Sequence, residues 1–196
     1  MLKAIYLDMD GVLVDLVRHT YRTVGIPETL VDEAYESTDA WNGIYKTVAK
    51  LHDPHFGEQD LYKHWAKLGQ EFWASVPWTS HGKALFELCS HYAPVVLMTT
   101  PTIEPSCAAG KMEWIQRNLP KDAQRRYALS PCKHHMAHPG ALLIDDGPHN
   151  TSRFEEHGGS AILWPGPWNE TGKAGITHDA ALKLVESKLI EMSKTP

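Results

Sequence analysis

Cysteine is scarce in this sequence: Cys89, Cys107 and Cys132 are all there is, and no Cys-x-x-Cys pair joins them. That argues against a disulfide framework and a thiolate zinc site, and it points to a reducing, cytoplasmic setting. Long apolar runs are missing as well. None approaches the roughly 20 residues that a bilayer-crossing helix needs, so no membrane association is expected. Positive charge is in deficit, with 19 Lys and Arg against 24 Asp and Glu, for a net charge of -5. This balance does not suit a surface that coats nucleic acid. A small anionic substrate stays open, because local cationic groups or a metal can override the global sign. Internal repeats and low-complexity tracts are absent too. Met1-Leu2-Lys3 runs straight into an apolar segment, and no signal peptide is expected ahead of it.

What the chain does contain is an ordinary globular share of apolar residues, 42%. Its 196 residues suit one sizeable domain, or one core with a modest insertion. Short, nearly continuous apolar runs occur at Ala4–Leu7, Pro94–Met98, Ala141–Ile144 and Ser160–Trp164, with a weaker run at Tyr127–Leu129. Runs of this length suit strands covered on both faces. Helical spacing falls between them, over 81–92, 110–119, 150–157 and 180–192. Strands alternating with helices predict an α/β fold, a doubly wound parallel sheet. Residues 16–76 break the rhythm: they carry helical patterns, many Trp, Tyr and His, and no convincing strand. They are expected to form a small helical cap inserted after the first strand, on a core made of 1–15 and 77–196.

Ligands of an open α/β sheet bind at the carboxyl ends of its strands. Asp8 and Asp10 follow the first strand, Thr99 and Thr100 the second, and Asp145 and Asp146 the third. Extended residues two apart point to the same side, so Asp8 and Asp10 are expected to face one site, with Gly11 allowing a sharp turn beyond them. Four carboxylates at one edge repel one another unless a cation neutralises them. Hard oxygen ligands suit Mg²⁺. Acids around Mg²⁺, hydroxyl donors and a nearby lysine form a kit for phosphoryl transfer.

Asp8-Met9-Asp10-Gly11-Val12, Leu97-Met98-Thr99, Lys133 and Ile144-Asp145-Asp146 resemble, in order, the four motifs of the haloacid dehalogenase superfamily of phosphohydrolases. Thr99-Thr100-Pro101 and Lys111-Met112-Glu113-Trp114 narrow the resemblance to the 5'(3')-deoxyribonucleotidases. The resemblance implies a Rossmann-like core and hydrolysis of a nucleoside monophosphate. In it, Asp8 is the nucleophile and Asp10 the proton donor and later the base. Thr99, with Thr100 close by, bonds the phosphoryl oxygens, and Lys133 balances charge. Asp8, the Asp10 carbonyl and Asp146 hold Mg²⁺, with Asp145 in support. The chain departs from the family where Lys133 stands somewhat farther before Asp145 than in the animal enzymes. The role of Lys133 therefore stays open to Lys111, which is also a candidate for the substrate pocket. Oligomeric state, a homodimer included, is left open.

Trp41 and Trp73 lead a set of aromatics, with Tyr45, Phe72 and Trp78, that could stack on a nucleobase. Asn150 is expected to cap the helix that follows it. His134, His135 and His138 invite a second metal, but 12 histidines in the chain make chance clustering the better reading. Pro165 to Asn169 reads as a rigid loop of no assigned role. Three other functions compete: a sugar phosphatase, a 3'-phosphatase on nucleic-acid ends, and a binding module without catalysis. The second expects a basic groove, which the lone cluster Lys121, Arg125 and Arg126 does not supply. The third expects a missing motif acid, and none is missing.

Overall fold

The computed structural model describes residues 1–39 and 43–194. Its centre is a sheet of five parallel strands, β1 (Ala4–Leu7), β2 (Val95–Thr99), β3 (Tyr127–Leu129), β4 (Ala141–Asp145) and β5 (Ser160–Leu163). They lie in the order β3-β2-β1-β4-β5. The predicted runs are these strands, within a residue or two at each end.

Alternation along each strand splits the core into two layers. Ile5, Leu7, Val95, Leu97, Leu142 and Ile144 face one way and share a cluster with Leu85, Cys89, Val185 and Leu189. The last four belong to α5 (Gly82–Ser90) and α9 (His178–Lys194). Tyr6, Met98 and Leu143 face the other way, against Phe154 of α7 (Pro148–Glu156). Each fully buried aliphatic of this kind contributes about 1.5–3 kcal/mol. Strands so covered on both faces explain why their sequence shows continuous apolar runs.

Between β1 and α5 come four helices among the described residues, α1 (Leu16–Val24), α2 (Glu28–Glu36), α3 (Ile44–Leu51) and α4 (Glu58–Ala74). Asp15 caps α1 by accepting from the Arg18 amide at 3.2 Å. α4 is broken at Gly69, whose φ of 67° and ψ of -154° are open to glycine alone. The segment after the break packs on α6 (Pro105–Asn118). Gly110 permits this contact: a Cβ there would stand 2.4 Å from the Gln70 carbonyl and 2.5 Å from Trp73 Cβ. α6 starts five residues before the predicted 110–119 stretch, on Pro105 in its first turn. A short 3-10 turn (Lys133–Met136) precedes β4, and the brief helix α8 (Glu170–Lys173) follows β5. Among the described residues, no helix is long and apolar enough to cross a membrane.

Candidate active site

Chain order makes β1 the central strand and sends successive strands to its two sides. The crevice between β1 and β4 is therefore the topological switch point, the ligand position of such sheets. Register pairs Leu7 with Ile144, so Asp8 and Asp145 leave the sheet side by side. The Asp8 amide donates to the Ile144 carbonyl at 3.0 Å. Asp8, Asp145 and Asp146 are all buried, with carboxylate oxygens within 4.8 Å of one another.

Lys133 enters this group from the 3-10 turn, itself 2% exposed. Its Nζ lies 2.8 Å from Asp8 Oδ1 and 2.6 Å from Asp145 Oδ2. The other oxygen of Asp145 accepts from the Gly147 amide at 2.8 Å and from Asn150 Nδ2 at 2.9 Å. Asp145 is thus saturated with donors. Asp146 Oδ2 is the opposite case, buried with no hydrogen-bond partner among the described residues. Burial, with the charges of Asp145 and Asp10, pushes the Asp8 carboxyl up to about 7 against the pull of Lys133. Burial, with the charges of Asp8 and Asp145, likewise holds Asp146 well above the ordinary carboxylate range. Burial opposes the charge of Lys133, yet Asp8 and Asp145 outweigh it and raise its pKa above that of an ordinary lysine. With all three clustered acids ionised, one ammonium would leave negative charge over.

That surplus, together with the unpartnered Asp146 oxygen and an all-oxygen donor set, fits a divalent cation such as Mg²⁺. The Asp10 carboxylate is outside the group. It bonds instead to a second buried lysine, Lys111 of α6, which is 1% exposed and donates also to Thr99 Oγ1 at 3.0 Å. Lys111 Nζ sits 5.5 Å from the centre of the Trp73 ring. The structure thus brings both lysines to the site and gives each its own acid.

Of the other expected residues, Thr100 is exposed and donates its hydroxyl to the Ser130 carbonyl at 3.0 Å, joining the loops after β2 and β3. Trp73 is buried beside Lys111 and edge-on to Trp65 at 5.3 Å. Trp65 carried no expectation; its spacing reads as ordinary helix core. Trp41 lies outside the described residues. Trp78 packs on Trp114, with ring centres 4.7 Å apart, and donates to Asn118. Asn150 is not the cap of α7. Pro148 occupies the first turn and Gly147 the cap position, which places Asn150 one turn in, where its amide reaches Asp145. His134 stacks near His135 and His157 with Arg153 at 3.2 Å, and among the described residues no histidine joins a metal-ligand group.

A family model described as 5' nucleotidase, deoxy (pyrimidine), cytosolic type C protein (NT5C) matches residues 2–177. No curated protein sequence matches significantly. Among solved structures, a HAD family hydrolase from Deinococcus radiodurans R1, with bound phosphate and sodium, superposes with a TM-score of 0.53 at 15% identity. The match covers 96% of this chain and 97% of that one. A haloacid dehalogenase-like hydrolase from Burkholderia xenovorans LB400 gives 0.50 at 11% identity, over 97% and 99% of the two chains. Both likenesses are to the fold, the doubly wound sheet with its flanking helices.

Proposed function

The chain belongs to the 5' nucleotidase, deoxy (pyrimidine), cytosolic type C family, phosphatases with the haloacid dehalogenase fold, and from that premise we propose that it is a Mg²⁺-dependent phosphomonoesterase of nucleoside monophosphates, deoxyribonucleotides foremost, working through an aspartyl-phosphate. One observation carries the reading: the two acids of the Asp8-x-Asp10 pair are held apart, Asp8 against Lys133 in the acidic group and Asp10 against Lys111, which also bonds Thr99. Two acids with separate partners can take separate tasks.

In this mechanism an oxygen of Asp8 attacks phosphorus, and the bond from phosphorus to the ester oxygen breaks. Asp10 gives the departing oxygen its proton. Asp10, now a carboxylate, takes a proton from water as that water attacks the aspartyl-phosphate, and the bond to Asp8 breaks to release orthophosphate. Thr99 donates to a phosphoryl oxygen. Lys133 favours the ionised form of the attacking carboxylate and offsets the charge of the phosphate. A bound phosphate also offers Lys111 a second anion, so the lysine that holds Asp10 at rest can follow the substrate. Asp8, the Asp10 carbonyl and Asp146 would hold Mg²⁺, with Asp145 behind them fixing Lys133. When bound, Mg²⁺ lowers the repulsion between substrate phosphate and carboxylates.

Residues 16–76 act as a cap over a core of 1–15 and 77–196, closing on a small substrate and excluding water. Trp73, buried beside Lys111, borders the Asp10 side of the site, where we place the substrate. A reducing cytosol is the setting that three cysteines without a Cys-x-x-Cys pair suit. The test is phosphate release from ribo- and deoxyribonucleoside 5'- and 3'-monophosphates and from sugar phosphates, with and without Mg²⁺. Metal-dependent release from deoxynucleotides is expected, with a loss of at least ~10³-fold in Asp8→Asn. Release from sugar phosphates alone would keep the chemistry and overturn the substrate.

A further inference from the structure

The loop 165–169 does more than end β5. Its last residue, Asn169, is 2% exposed and has every hydrogen-bonding position of its amide filled. Nδ2 donates to the Asp146 carbonyl at 3.0 Å and to the Trp164 carbonyl at 2.7 Å. Oδ1 accepts from the amides of Gly166 at 3.3 Å and Gly172 at 3.0 Å, the latter being the cap of α8. One side chain thus ties the backbone of Asp146 to the strand end, the loop and the next helix.

The residue before it reaches the same place from above. The Trp168 ring lies over Gly11, where a Cβ would stand 2.9 Å from its Cζ2 and 2.3 Å from Asp146 Oδ2. Gly11, at φ 79°, is therefore closed in between the tryptophan and the unpartnered carboxylate oxygen. On its far side Trp168 meets Tyr35 of α2 edge-on at 5.6 Å. The backbone on both sides of the cation-binding group, after β1 and after β4, is braced by two adjacent residues of a single loop.

We propose that the 165–169 loop is the positioning element of the divalent-cation site: Asn169 fixes the main chain of Asp146, and Trp168 braces Gly11, so that the Asp146 carboxylate is kept beside Asp8 and Asp145. The inference rests on the reading of Asp8 and Asp146 as cation ligands. Neither Asn169 nor Trp168 touches the reacting atoms. A buried carboxylate oxygen without a donor is held in place by its backbone rather than by its own bonds, which is why the backbone needs a brace. Partners of this kind, one step behind the ligands, commonly control metal affinity by ten- to a hundredfold.

Asn169→Ser separates this role from plain capping. Serine still accepts from the Gly172 amide and caps α8, but it cannot reach the Asp146 carbonyl. The measurement is the dissociation constant for Mg²⁺ by titration calorimetry without substrate, beside the melting temperature in chelator. Asp146→Asn serves as the reference for a lost ligand. A folded Asn169→Ser whose Mg²⁺ dissociation constant rises about tenfold or more is expected. A lowered melting temperature with an unchanged dissociation constant would overturn the proposal, leaving Asn169 a structural cap. If the serine variant does not fold, Trp168→Phe replaces it; a several-fold weaker affinity is expected, and an unchanged one overturns the proposal. A wild-type protein that binds Mg²⁺ no better than Asp146→Asn would overturn the cation reading itself, and this proposal with it.

Discussion

Two buried lysines stand in one site, and they are held by different parts of the molecule. Lys133 comes from a turn of the sheet core and meets Asp8 and Asp145, with both of its partners at most 9% exposed. Lys111 comes from α6, the helix on which α4 packs, and meets Asp10, which is 13% exposed, and Thr99. The first is a buried ionic group built from strand ends, a 3-10 turn and the start of α7. The second is bordered by Trp73 and so by the four-helix segment. We read the difference as a division of labour. The core side fixes charge, and the helical side lets the arrangement answer to what binds.

Removing the two charges should expose the contrast most strongly. Lys133→Met keeps the volume and strands two buried carboxylates, a loss of about 3–5 kcal/mol of stability near neutral pH together with activity. Lys111→Met leaves Asp10 within reach of water, and about 1–3 kcal/mol is expected, with kcat down by ~10²-fold. Urea unfolding of both variants in chelator checks this. Equal losses of stability would erase the distinction between the two sides.

Protons give the next largest effect, and it belongs to the Lys133 side. Folded Asp8 keeps its proton up to about pH 7, whereas an unfolded aspartate releases it near ~3.9. Between those values the folded state binds more protons, so stability falls as pH rises. Asp146, raised for the same reason, acts in the same sense. Glu71, held low by Arg117, and Asp60, held low by the Gly57 amide, act oppositely, but their contribution is intact above the ordinary carboxylate range and is lost only as pH falls through and below it. In chelator the melting temperature should therefore rise on going from about pH 8 to about pH 5.5. Saturating Mg²⁺ should reverse the trend, because its ligands must be ionised. A chelated protein that is most stable at the higher pH would contradict the burial of these acids.

The Lys133 side was also the more legible in sequence. Apolar runs ending in Asp8, Thr99 and Asp145-Asp146 announce a sheet edge rich in acids and hydroxyls, because continuous apolarity and strand-end chemistry are local signals. Lys111 was harder to place. A lysine inside an amphipathic helix reads as a solvated face until the crossing of α4 over α6 is known, and Gly110, which permits that crossing, looks like a weak helix position. Asn150 misleads because its side chain suits a helix cap, whereas Pro148, whose fixed φ suits a first helical turn, starts the helix two residues earlier. Asn169 carried no signal at all, since its partners Asp146, Trp164 and Gly172 meet only after β5 and α8 are in place.

The smallest effect expected lies on the Lys111 side, at the break in α4. Residues after Gly69 clasp α6: Glu71 pairs with Arg117 at 2.8 Å, and Gln70 bonds Glu113 at 2.6 Å. Residues before it belong with α1 and α3, where Trp65 Nε1 donates to Thr20 Oγ1 at 3.2 Å. Gly69 is where the helix passes from one set of neighbours to the other. A Cβ there meets nothing within 4 Å, so Gly69→Ala tests the backbone alone. The strained φ and ψ should cost about 1–3 kcal/mol, without a clash or a cavity. If the helical segment governs substrate and the core governs the cation, this variant should shift KM several-fold and leave the Mg²⁺ dissociation constant unchanged. An equal shift in both would mean that the break transmits to the Lys133 side as well, and the two halves of the site would then have to be treated as one.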